Sequence, residues 1–288
     1  MRWCWMGGLA LVATGCGAGS LPYPGRDAGV VDVPSVSDVG TVDAGIVDAP
    51  PVDGGTCPPD MALIPAGSFS MGDTDTLSFG AQPPHMVTLS AFCMDLTEVT
   101  VAAYRTCSAT GCTDPSVGHW LNWGATDREN HPINGVDWNQ SRAYCQSLGR
   151  DLPTEAQWEY AARGTDGRIY PWGNAPPVSQ LCWNSTSPGG TCPVRAHPED
   201  ISPFGVFNMA GNVAEWTSDW YGDYTSSDAS DPTGPASGPS RVMRGGNWGA
   251  TTGDLVRAAG RRYLTLALQM AGKNSDSNLG FRCAGVPH

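Results

Sequence analysis

Ile133 to Gly164 reads INGVDWNQSRAYCQSLGRDLPTEAQWEYAARG. Asn139 to Leu148 predicts a helix with Ala143, Tyr144 and Leu148 on one face, and Gly149 stops it. Thr154-Glu-Ala-Gln157 is a capping-box pattern, in which the Thr154 hydroxyl and the Gln157 side chain satisfy amides at a helix start. The helix begun there runs to Arg163 and ends at Gly164. Two short helices joined by a tight polar link therefore sit in the middle of the chain.

Upstream, Met61 to Gly72 (MALIPAGSFSMG) predicts a short apolar strand and a glycine-bounded turn. His85 to Asp95 (HMVTLSAFCMD) alternates well enough for a second strand. Thr97 to Cys107 then starts a helix with Thr100 as its cap. Eleven Trp, 37 Gly and only 15% charged residues describe a loop-rich α+β region rather than a helical bundle. Cys57 to His288 is of a size to be one domain. A net charge of −12, with 16 basic against 28 acidic residues, excludes nucleic acid and anionic headgroups as expected partners.

The N-terminal segment has a different character. Arg2, the apolar run Leu9-Ala-Leu-Val12 and the small residues before Cys16 describe a secretory signal over residues 1–15. The run is well short of the ~20 residues that a spanning helix needs. A cysteine directly after small residues fits a bacterial lipobox, so Cys16 is expected to carry lipid and tie the chain to a membrane. Gly17, not Asp, follows it, and an exported outer-membrane lipoprotein is the expectation. Residues 16–56 are rich in Gly, Pro, Val, Ser and regularly spaced Asp, with Tyr23 as the one aromatic. Such a composition cannot bury enough apolar area to offset ordering, so it reads as a flexible acidic tether.

Eight cysteines lie from Cys57 onward: Cys57, Cys93, Cys107, Cys112, Cys145, Cys182, Cys192 and Cys283. An even count in an exported chain reads as four disulfides, for which the sequence permits about 105 connectivities. Proximity suggests Cys107–Cys112 and Cys182–Cys192. A zinc site is not supported, because no CxxC pair occurs and the five histidines are scattered.

Three further segments complete the pattern: SPFGVFNMAGNVAEWTSDW at Ser202–Trp220, RVMRGGNW at Arg241–Trp248 and NLGFRCA at Asn278–Ala284. With the 133–164 block and YPWGN at Tyr170–Asn174, they resemble the formylglycine-generating enzyme family, the sulfatase-modifying factors, from about Met61 to Ala284. The resemblance implies a C-type-lectin-like α+β fold, with two helices flanking small twisted sheets and long loops. It also implies the disulfide Cys145–Cys283, which leaves Cys57–Cys93 for the remaining pair. The family's calcium loop, carried over, makes Asn208, Gly211, Val213 and Glu215 ligands of a structural calcium ion. Hard oxygen donors of that kind suit calcium. A second family calcium site would involve Asn184, but the sequence departs from the pattern there.

At the catalytic strand the resemblance fails. The family holds copper(I) with two cysteines, and Ala250 and Leu255 stand in their places. Asn247 replaces a substrate-contacting serine, Thr251 stands near a family histidine, and Ala214 replaces a groove tryptophan. Copper and the formylglycine-forming oxidation are therefore not expected. Nor does any histidine spacing match the HxxxHxE iron motif of related sulfoxide synthases. What the resemblance leaves is a groove bounded by Arg244, Asn247, Trp248, Thr251 and Arg262, with Trp216 and Trp220 nearby and Trp216 read as core. The expected function is a lipid-anchored binding module for a protein, peptide or glycan. The alternative is an enzyme of the same superfamily with a substituted site, using Asp219, His119 or Arg262.

Overall fold

A computed structural model describes residues 55–288 apart from 116, 118, 119, 185, 188 and 266–276. The signal segment, Cys16, nearly all of the tether and His119 lie outside the described residues. The described residues form ten strands, three α-helices and one 3-10 turn. Strands β1 (Met61–Ile64) and β2 (Gly67–Met71) run antiparallel to β4 (Phe92–Asp95) and β3 (His85–Leu89). Each expected strand is thus two strands. Pro65 interrupts the first ladder, since proline has no N–H to give to it. The pairing resumes in unchanged register, Ile64 opposite Phe92 and Gly67 opposite Leu89. One bent hairpin therefore feeds two sheets, β1-β4-β10 and β2-β3-β6.

The third sheet, ordered β8-β7-β5-β9, positions the candidate site. Its members are β8 (Arg262–Thr265), β7 (Ser240–Arg244), β5 (Ala214–Trp220) and β9 (Leu279–Gly280). Strand β5 is buried along nearly its whole length and carries Trp216 into the core, with its indole N–H donating to the Val136 carbonyl at 3.1 Å. Strand β6 (Ala229–Ser230) pairs parallel to β3, and β10 (Ala284–Gly285) joins β4.

Three helices occur where the family resemblance implied two. Helix α1 (Val101–Ser108) is capped by Thr100 and α3 (Glu155–Arg163) by the Thr154/Gln157 capping box, both as expected. Helix α2 (Trp138–Ser147) begins one residue earlier than expected, because Asp137 and Gln140 form a second reciprocal box. Its inward face is Trp138, Ser141, Tyr144 and Cys145. Ala143 and Leu148, assigned to that face from the sequence, are exposed. Leu148 lies at the C-cap, where the chain has already left the helical repeat.

All four disulfides form as expected: Cys57–Cys93, Cys107–Cys112, Cys145–Cys283 and Cys182–Cys192. Cys145 and Cys283 are fully buried in a cluster with Tyr104, Tyr144, Trp216 and Phe281. The two ends of the described region also meet. Thr56 and His288 exchange both backbone hydrogen bonds, at 2.9 and 3.0 Å. Among the described residues no helix is long and apolar enough to cross a membrane.

Candidate functional site

Strand β7 ends at Arg244, where a groove-lining side chain was expected. The guanidinium is instead fully buried. It donates to Glu155 at 3.0 Å, to Glu159 at 2.8 Å, to the Tyr224 hydroxyl at 2.8 Å and to the Ala258 carbonyl at 3.1 Å. Arg261 adds two bonds to Glu155, at 2.6 and 2.8 Å, and Arg163 binds Glu159 at 2.6 Å. Three guanidiniums thus share two carboxylates and tie α3 to β7. Burial pushes the Glu155 carboxyl up, but Arg244 and Arg261 more than reverse this and hold it below the ordinary value. Arg244 is a structural anchor rather than a ligand contact.

The next residues make the turn that would present the catalytic pair. Gly246 sits at φ +70°, and a Cβ there would lie 2.3 Å from the Leu255 carbonyl oxygen, so only glycine fits. That close approach brings the 253–256 turn against β7. Ala250 is 4% exposed and belongs to an apolar cluster with Tyr170, Leu181, Trp183, Ala210 and Val256, against which Leu255 packs. The two positions that would hold copper lie in one cluster, as the alignment requires, and that cluster is hydrocarbon. The eight cysteines from Cys57 onward are all in disulfides, so none of them supplies a thiolate in their place.

Asn247 holds this turn together. Its side-chain oxygen accepts from Gly249 N–H at 2.9 Å and its carbonyl from Ala250 N–H at 2.9 Å. Trp248 is partly exposed, donates its indole N–H to the Ser277 carbonyl at 3.2 Å and tilts against Trp120 with ring centroids 5.6 Å apart. Thr251 is exposed.

Beside the turn lies an open cavity of about 620 Å³. Leu77, Phe79, Met243, Leu255, Arg262 and Tyr263 line it. Of the five residues expected in a groove, Arg244 and Arg262 border this cavity, whereas Asn247, Trp248 and Thr251 do not. Phe79 is 65% exposed, a large apolar surface for one side chain. Sequence reading missed Leu77, Phe79 and Tyr263. The signal available was an apolar pair inside the otherwise polar run Asp73-Thr-Asp-Thr-Leu-Ser-Phe-Gly80. Arg262 is exposed and has no ion pair among the described residues.

Asp219, weighed as a catalytic group, is buried, and its Oδ2 accepts from Glu155 N–H at 2.9 Å and from the Ser218 hydroxyl at 3.0 Å. Burial first, and the Glu155 charge second, push its carboxyl up to about 7. It borders a second cavity of about 230 Å³ with Glu155 and Arg261, whose lining does not include Arg262. Asp219 and Arg262 therefore do not form one site. Trp220 is likewise committed: the Arg241 guanidinium lies 3.5 Å from its ring and 3.6 Å from that of Trp138.

The loop expected to hold calcium shows a different arrangement. Asn208 and Asn212 both adopt positive φ, at 57° and 52°. The Asn208 side-chain oxygen accepts from Arg195 N–H at 2.9 Å. Glu215 accepts from Arg282 on both oxygens, at 2.7 Å each, and from the Trp158 indole N–H at 2.8 Å. Its charge is already neutralised and three donors occupy its oxygens. Asn208, Gly211, Val213 and Glu215, so arranged, do not fit a divalent cation, because the one charged member is an arginine partner. Asn184 is exposed, and its N–H donates to the Ala250 carbonyl at 3.2 Å.

A fold built of small sheets around a glycine-pair turn, stapled by Cys145–Cys283, is that of the sulfatase-modifying factors. The model of the sulfatase-modifying factor enzyme 1-like domain matches residues 49–286, and the chain belongs to that family. The formylglycine-generating enzyme of Mus musculus is 34% identical to it, over 78% of this chain and 74% of that protein. A second mouse protein, inactive C-alpha-formylglycine-generating enzyme 2, is 30% identical over 78% of this chain and 85% of its own length. Among solved structures, Treponema denticola variable protein 1 superposes with a TM-score of 0.63 at 26% identity, covering 79% of this chain and 95% of its own. The architecture is accordingly the C-type-lectin-like α+β fold of the formylglycine-generating type.

Proposed function

We propose that this chain is a non-catalytic member of its family that binds a peptide segment of a protein in the cavity beside the glycine-pair turn. The apolar packing of Ala250 and Leu255 carries this reading, since no group there can bind copper or pass through a thiyl or disulfide state. Family membership with an inactive relative is consistent with it. The cavity presents Leu77, Phe79 and Tyr263 around the exposed Arg262. Aromatic and aliphatic anchors give contact area and an exposed guanidinium gives direction, which suits an apolar peptide carrying a carboxylate. A polar glycan fits less well against so much hydrocarbon.

The protein incubated with copper(I), oxygen and a sulfatase-type CxPxR peptide is expected to leave the peptide cysteine unchanged by mass spectrometry. Peptides selected from a random display library on the wild type should bind Phe79→Ala and Arg262→Ala at least tenfold more weakly. Formylglycine formation, or selected peptides indifferent to both variants, would refute the reading.

The same proposal places the domain on a membrane through lipid on Cys16, as an exported outer-membrane lipoprotein, with the acidic segment as tether. Cys16→Ala is expected to move the protein from the detergent phase to the aqueous phase on Triton X-114 partition. Equal partition of both forms would remove the anchor from the proposal.

A further inference from the structure

A third cavity, of about 770 Å³, shares none of its lining with the peptide cavity beside the glycine-pair turn. Its wall includes Trp138 and Arg142 of α2, Thr154 and Gln157 at the start of α3, Trp220 at the end of β5 and Arg241 of β7. Packing fixes Arg241 there as a flat cation between two rings. Its guanidinium lies 3.5 Å from Trp220 and 3.6 Å from Trp138, contacts that cation–π attraction favours. Nη1 donates to the Ser218 carbonyl at 2.6 Å, and the Trp138 indole N–H is itself held by the Thr217 carbonyl at 2.8 Å. The side chain is therefore preorganised, with little rotamer freedom left to lose when a ligand arrives.

Its charge has no such complement. Arg142 pairs with Asp151 at 2.9 Å, and Arg150 with Asp95 and Asp60 at 2.8 and 3.0 Å. Among the described residues Arg241 forms no ion pair, and its Nε is buried without a hydrogen-bond acceptor. Burial first, and the neighbouring Arg142 charge second, pull the Arg241 pKa down to about 10, while Asp219 opposes them. The guanidinium still carries its proton at neutral pH, so the wall holds one positive charge without a paired carboxylate.

Hydrogen-bonding capacity points the same way. The capping box uses Gln157 Oε1 and Thr154 Oγ1 as acceptors, at 2.9 and 3.1 Å, which leaves the Gln157 amide NH2 group and the Thr154 O–H as donors. Arg142 commits Nε and Nη2 to Asp151 and keeps Nη1. Asp151, the carboxylate in the lining, is already filled by Arg142 and the Leu152 N–H. Donors thus outnumber acceptors, and the positive end of α3 adds to the preference for an anion. One uncompensated guanidinium matches one carboxylate. Around it, Thr154, Gln157, Ser218 and Thr233 place hydroxyls and an amide where the peptide cavity has Leu77, Phe79 and Met243. Such a wall favours a sugar, polar on every side, over a peptide, which would need pockets for apolar anchors.

We infer that this cavity binds an acidic sugar, with Arg241 receiving its carboxylate and Arg142, Gln157 and Thr154 as further donors. The inference goes beyond the peptide-binding reading and does not rest on it, because different residues line the two cavities.

The test presents the full chain to an array of oligosaccharides bearing uronate or sialate carboxylates, each beside its neutral counterpart. Acidic members should be retained, and their neutral counterparts bound at least tenfold more weakly. Calorimetric titration with the tightest acidic member then compares the wild type with Arg241→Gln, which should bind at least tenfold more weakly. Triaspartate peptide and inorganic phosphate, titrated in the same way, should bind the wild type at least tenfold more weakly than that sugar does. If Arg241→Gln fails to fold, Ala236→Trp decides, since position 236 is an exposed part of the wall and an indole there obstructs the cavity. An array that retains no acidic sugar, or retains neutral ones equally, would overturn the inference. So would triaspartate or phosphate binding as tightly as the sugar, or a folded variant at either position that binds it like the wild type.

Discussion

Replacing Cys145 and Cys283 together by Ala is expected to destabilise the domain more than removing any other disulfide. The bond closes 138 residues of chain, against 5 for Cys107–Cys112. Loop-closure entropy makes these worth about 5 and about 2 kcal/mol. Unfolded-state structure weakens the length dependence, so the difference is an upper figure. Burial adds to it, because both cysteines are fully buried in the cluster around Phe281, and their truncation leaves a void. A difference of about 3 kcal/mol corresponds to roughly 6–12 °C in melting temperature for a domain of this size. Thermal unfolding of the two double variants under non-reducing conditions measures it. Equal melting temperatures would mean that the 145–283 closure does not restrain the unfolded chain as supposed.

The second large effect is expected at Glu155. Three guanidiniums, of Arg244, Arg261 and Arg163, share the carboxylates of Glu155 and Glu159. Glu155→Ala strips Arg261 of its ion-pair partner and Arg244 of one of two, all in the interior. Breaking buried pairs in this way costs about 3–5 kcal/mol. Arg262→Ala, next in sequence to Arg261 but exposed, should change stability by no more than about 0.5 kcal/mol. Urea unfolding of the three proteins at 25 °C separates the cases. A Glu155→Ala protein as stable as Arg262→Ala would show that the network contributes no net stability.

How much of this was legible in the sequence depended on the range of the interactions. The caps at Thr100 and Thr154 were readable because the bonds that define them span three residues. The kink in the first hairpin was signalled by Pro65 but not resolved, since nothing local says that the ladder resumes in register beyond it. The inward face of α2 was misassigned because its apolar residues are few, and the partners that choose the face, Phe281 and Trp216 among them, are far along the chain. Arg244 illustrates the same limit more sharply. In RVMRGGNW it reads as a cation at the mouth of a groove, whereas its partners Glu155 and Glu159 lie 89 and 85 residues away. The absence of thiols at positions 250 and 255 was plain from the sequence. Their enclosure by Tyr170, Leu181 and Trp183 was not. Glu98 and Asp200 gave no signal at all, because a buried carboxylate looks like any surface acid until its surroundings are known.

The mutual hydrogen bonds of Thr56 and His288 give the domain the form of a cassette. Chain enters and leaves at two points that face each other like neighbouring strands, about 5 Å apart. A loop of an unrelated host could receive such a unit without stretching, and the host's own fold would feel only a short clamp. Joining the two ends by a few residues and opening the ring at an exposed loop tip should likewise give a permuted domain with the same core. Recombination could thus move the unit between the end of one polypeptide and the interior of another.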